Sequence, residues 1–80
     1  MLLTIEIANP KELNQGMAEI EIYCDSEGLD SLIKQLNFLK NNNESHVHLM
    51  TKSWAGTELS EKVQGKGNLL IHKMTIAKPK

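Results

Sequence analysis

Eighty residues, 40% of them apolar and 24% charged, suit one folded α+β domain spanning 1–80, near the lower size limit for a core held without disulfides or metals. No apolar run approaches the roughly 20 residues that cross a bilayer, and Thr4 and Glu6 interrupt the apolar opening, so neither an anchor nor a signal peptide is expected. The net charge of −1 comes with nine lysines and no arginine, so the bidentate fork that grips guanine and phosphate is missing and sequence-specific nucleic-acid binding is not expected.

The single cysteine, Cys24, excludes an internal disulfide and fits a reducing, cytoplasmic compartment. It reads as a small buried side chain at a strand end, because nothing adjacent lowers its pKa. Charge is unevenly spread. Residues 1–30 carry seven carboxylates against Lys11, whereas residues 31–80 carry eight lysines against Glu44, Glu58 and Glu61.

Taken in order, Leu3, Ile5 and Ile7 alternate with Thr4 and Glu6, the two-residue period of a half-buried strand, and Asn9-Pro10 ends it. Residues 8–16 read as a polar loop. Ala18, Ile20, Ile22 and Cys24 then alternate with Glu19, Glu21 and Tyr23, so a second strand with an acidic outer face pairs with the first as a hairpin. Asp25 or Ser26 caps a helix in which Leu29, Leu32, Ile33, Leu36 and Leu39 form one apolar stripe that must be covered. Gly28 falls in the first turn, where its propensity cost matters least. Phe38 lies off the stripe, and Asn41-Asn42-Asn43 stops the helix.

Val47 and Leu49 form the inner side of a third strand, with His46, His48 and Met50 opposite. A long connection, Thr51 to Gly67, follows, and connections of that length are usually functional or locally ordered. Thr57 to Val63 supplies one short helical turn. The last strand runs from Asn68 to Ile76. It carries a conflict, since Leu70, Met74 and Ile76 demand the core in one register, which would carry His72 inside, and Leu69 and Ile71 demand it in the other; a bulge would settle both. The tail Ala77-Lys78-Pro79-Lys80 is expected to fray.

The order is β-β-α-β-β, expected as one four-stranded antiparallel sheet in the order 2-1-3-4 with one helix packed on one face. The opposite face, lined by Thr4, Glu6, Glu19, Glu21, Tyr23, His46 and His48, is expected to stay uncovered and open to a partner.

No reaction is spelled out. His46 and His48 point the same way on a strand, and His72 would have to complete a zinc site; a lone His-x-His pair without a nearby carboxylate is a weak metal signal, so no metal and no cofactor is expected. Ser53 lacks the glycine two residues before it that a nucleophile elbow needs, and it reads as a solvated loop serine. Glu58 and Glu61 read as part of a solvated, charge-mixed turn with Lys52, Lys62 and Lys66. Trp54, the sole tryptophan, either plugs the long loop onto the domain or anchors another protein, and plugging is the commoner role.

The run His46, His48, Leu49, Met50, Thr51, Ser53, Trp54, Gly56, Glu58, Leu59 and Ser60 resembles the best-preserved segment of immunity-protein family 32 of bacterial polymorphic toxin systems. The chain departs from that pattern at Lys52 and at Ala55, where the family pattern has glycine, so any demand for positive φ is expected to be relaxed there. The resemblance implies a non-enzymatic antidote that binds and neutralises a cognate toxin domain through protein contact. Trp54, Glu58, His46, His48, Glu19 and Glu21 are the expected partner-binding residues. A metal-binding protein using His46 and His48, or a homo-oligomeric module pairing through an edge strand, are the alternatives.

Overall fold

In the computed structural model, which describes residues 1–79, the first two alternating runs pair as an antiparallel hairpin. Strand β1 spans Leu3–Ala8 and β2 spans Glu19–Cys24, with Ile5 opposite Ile22 and Ile7 opposite Ile20. The connection between them is a 3-10 helix at Pro10–Gln15 rather than an open loop, framed by left-handed Asn9 and Gly16. Proline at its start fits, because a fixed φ and a missing N–H cost nothing there.

Helix α1 covers Ser26–Asn41, and the Asp25 side chain caps it by accepting from the Gly28 N–H at 2.7 Å. Gly28 has a stronger reason than tolerance of the first turn. A Cβ there would lie 1.7 Å from the Leu2 carbonyl oxygen, so the hairpin and the helix start can meet only through glycine.

Strand β3 is His46–Met50. The final strand is split at His72 into β4, Leu69–Ile71, and β5, Lys73–Ala77. Before the break it pairs with β1, Ile5 opposite Ile71; after it, it pairs with β3, Leu49 opposite Met74. The break settles the conflict in the sequence, since Ile71 on one side of it and Met74 and Ile76 on the other all pack against the core. Ala77 belongs to β5, and Lys78 donates its N–H to the Ser45 carbonyl at 2.8 Å, so the fraying expected of the tail does not begin there; Lys80 lies outside the described residues.

The expectation of one four-stranded sheet is therefore corrected. The described residues form two sheets, β2-β1-β4 and β3-β5, with one α-helix and two 3-10 helices. The first and third strands are not neighbours because the long loop wedges between them. Leu59 donates its N–H to the Met50 carbonyl at 3.1 Å, Ser60 donates its N–H to the Leu3 carbonyl at 2.7 Å, and the Leu3 N–H donates to Ser60 Oγ at 3.1 Å. Two residues of loop thus satisfy backbone groups that a direct β1–β3 ladder would have used.

The buried core is Leu3, Ile5, Leu39, Val47, Leu49 and Leu59, with Leu32, Ile71, Met74 and Ile76 packed against it. Each fully buried aliphatic contributes about 1.5–3 kcal/mol. The helix turns Gly28 and Leu39 inward, while Leu29, Ile33 and Leu36 stay between 42% and 47% exposed and Phe38 is 47% exposed. The apolar stripe is wider than the surface available to cover it. Cys24, expected to be buried, is exposed, because it sits at the end of the edge strand β2.

Candidate functional site

The segment after β3 is held as a latch. A 3-10 helix at Lys52–Trp54 replaces the turn expected at Thr57–Val63, and the N–H groups of Trp54 and Gly56 both reach the Thr51 carbonyl at 2.9 Å. Gly56 lies against Met50, where a Cβ would stand 2.4 Å from the carbonyl oxygen. Ala55 adopts φ 63, so the left-handed conformation expected to have been relaxed at this position is retained with alanine in it.

Several polar side chains of the latch are hydrogen-bonded within the chain. Thr51 is fully buried, its hydroxyl 2.7 Å from His72 Nδ1. Ser53 donates to Glu61, whose carboxylate also stands 3.6 Å from His72 Nδ1. The Glu58 carboxylate accepts the Met50 N–H at 3.0 Å. Neither glutamate is the merely solvated group expected, because each closes the loop on itself. The large apolar side chain on the outer surface of this turn is Trp54, 55% exposed where plugging would have buried it, beside exposed Lys52, Ser53 and Ala55.

The downstream half of the loop seals the polar side of β1, which was expected to stay uncovered. Thr4 and Glu6 are both fully buried. Burial pushes the Glu6 carboxyl up, but it accepts from Thr4 Oγ1 at 2.6 Å, the Gly65 and Gln64 N–H groups at 3.0 Å each and Asn68 Nδ2 at 2.9 Å. Those bonds win, and its pKa is held at about 2. No buried side-chain polar atom among the described residues lacks a partner.

Beyond Glu6 the acidic face of β2 opens into a groove of about 920 Å³ lined by Glu12, Glu19, Glu21, Tyr23, Lys11 and Lys66, among others. Glu21 accepts from Asn68 Nδ2 and from the Tyr23 hydroxyl, each at 2.9 Å, and these bonds lower its pKa. The same bond raises that of Tyr23. Among the described residues, Glu12, Glu19 and Glu21 make no ion pair.

His46 and His48 lie side by side on β3 with ring centroids 4.6 Å apart, and both are exposed. His48 meets Thr75 Oγ1 at 2.8 Å, and desolvation, Lys73 and His46 lower its pKa. His72 does not join them; it faces Thr51 and Glu61 at the strand break. No group of three or more metal-ligating side chains occurs among the described residues. The six expected contact residues thus fall in three places: Trp54 and Glu58 on the latch, His46 and His48 on β3, Glu19 and Glu21 on β2.

Sequence reasoning missed Glu6 as a structural centre and missed the exposure of Ile20 and Ile22. Alternation marks which residues share a face of a strand, but not which face a distant loop will cover.

The family described as Immunity protein 32 matches residues 19–74, well over half of the eighty. No curated protein and no solved structure gives a significant match. The matched span runs from the acidic strand β2 through the latch and into β5, and the chain belongs to the immunity protein 32 family.

Proposed function

We propose that this chain neutralises a cognate toxin domain by binding it in the cytoplasm of the cell that makes the toxin. The family match carries this reading. The latch supports it: Glu58 and the Ser53–Glu61 pair fix the turn, and that turn leaves a large aromatic surface at Trp54 in solvent, a residue type enriched among the anchors of protein contacts. Trp54, the pair His46 and His48, and Glu19 and Glu21 form the proposed contact set. Glu58 acts through the latch, holding the turn that presents Trp54.

Co-expression with the toxin domain encoded beside this gene tests the reading. The expected outcome is restored growth and a stable complex on size-exclusion chromatography. Toxicity undiminished by the intact chain, with no complex formed, would overturn it.

A further inference from the structure

Strand β2 ends its sheet, so among the described residues one of its edges has no paired strand. The pairing register places Ile20, Ile7 and Leu69 in one row across the sheet, and Ile22, Ile5 and Ile71 in the next. Both ends of the first row are open: Ile20 is 69% exposed and Leu69 49%, with half-buried Ile7 between them, and Ile22 at the start of the second row is 46% exposed. The other side of β2 carries Glu19 and Glu21. From Glu12 through Ile33 the chain holds six carboxylates and no basic residue. This edge therefore combines open backbone groups, an aliphatic face and an acidic face along six residues.

Edges of this kind accept a further strand, with main-chain bonds giving affinity and alternate side chains giving specificity. A second copy of β2 fits poorly. Directly opposed residues share a face in an antiparallel pair, and every central register that keeps the isoleucines together sets acid on acid: Glu21 on Glu21, Glu19 on Glu21, or Glu19 on Asp25. A strand alternating aliphatic with lysine or arginine meets both faces at once.

We propose that β2 is where the partner docks, adding an extended segment of alternating aliphatic and basic residues as a fourth strand beside it. This rests on the toxin-binding reading above and names the surface that performs it. Ile20 and Ile22, the two residues of these rows that adjoin the open edge, take the segment's apolar side chains, and Glu19 and Glu21 take its cations.

The test uses the full chain and the purified toxin domain encoded beside its gene, with Ile20→Lys and Glu19→Lys variants whose folding is checked by circular dichroism melts. Both side chains are exposed, so both variants are expected to melt as the parent does. Each should weaken binding by about tenfold or more, the Glu19 effect shrinking at high salt. Amide exchange on the unaltered chain supplies a readout free of folding artefacts: residues 19–24 should gain protection in the complex. Unaltered affinity in both variants, or unchanged exchange at β2 while the intact chain still binds and rescues growth, would sink the docking site and leave the immunity reading standing. A chain that neither binds nor rescues removes both. Protection of β2 in the free protein, with a dimer mass, would assign the edge to a second copy and overturn the proposal.

Discussion

The two sides of the hairpin invert what their side chains suggest. On β1, Thr4 and Glu6 are fully buried; on β2, Ile20 and Ile22 stand in solvent. The difference lies in what crosses each place. The loop after β3 brings the Gln64 and Gly65 N–H groups and the Asn68 amide down onto Glu6, so a carboxylate is enclosed with its charge fully met. Among the described residues nothing covers Ile20 and Ile22 as fully, because α1 packs through Leu32 and Leu39 onto Leu3, Val47 and Leu49. Burial here follows the path of the covering segment, and polarity adjusts through hydrogen bonds.

The comparison is broken most severely at Glu6. Glu6→Gln keeps the size but sets an amide NH2 against two of the four donors while removing the buried charge the others serve, and should cost about 3 kcal/mol in urea unfolding. The same group gives a pH signature. Its folded pKa of about 2 lies below the ordinary 4.5, so its stabilisation is fully present above pH 4.5 and disappears as pH falls from there through 2. The Gln variant should lose that acid transition, and a variant with the parent's full acid transition would place it on another group.

The next effect is at the latch. Gly56→Ala drives a methyl into the Met50 carbonyl and should cost about 2 kcal/mol, with increased amide exchange from Thr51 to Ser60 as the loop loosens. Its neighbour should respond in the opposite direction. Ala55→Gly relieves the left-handed backbone and should stabilise the fold by about 0.5–1 kcal/mol, read as a raised thermal midpoint.

The smallest effect sharpens the contrast. Ile20→Lys places a charge on the open side and should change stability by no more than about 0.5 kcal/mol, although it replaces an aliphatic side chain within a strand. A loss of several kcal/mol in the melt would mean that this row is covered in the free protein.

Local order was legible where neighbours in sequence are neighbours in space. The alternation of Leu3 to Ile7 and of Ile20 to Cys24 identified the hairpin, Asp25 identified the helix start, and the competing demands of Leu69, Ile71, Met74 and Ile76 required an interruption of the last strand, whose place at His72 the structure supplied. The run from His46 to Ser60 pointed to the family because its side chains are specific. Within it, though, the division between Glu58, held by Met50, and Trp54, left outside, could not be read from residue types.

Only the tertiary structure decided which strands meet, and it did so through Leu59 and Ser60, whose backbone bonds to Met50 and Leu3 keep β1 and β3 apart. It also decided that Glu6 is enclosed and Ile20 is not. Periodicity along a chain reports which side chains share a face, whereas cover for that face is contributed here by residues 58, 59 and 62 positions away, which carry no periodic mark of where they will lie.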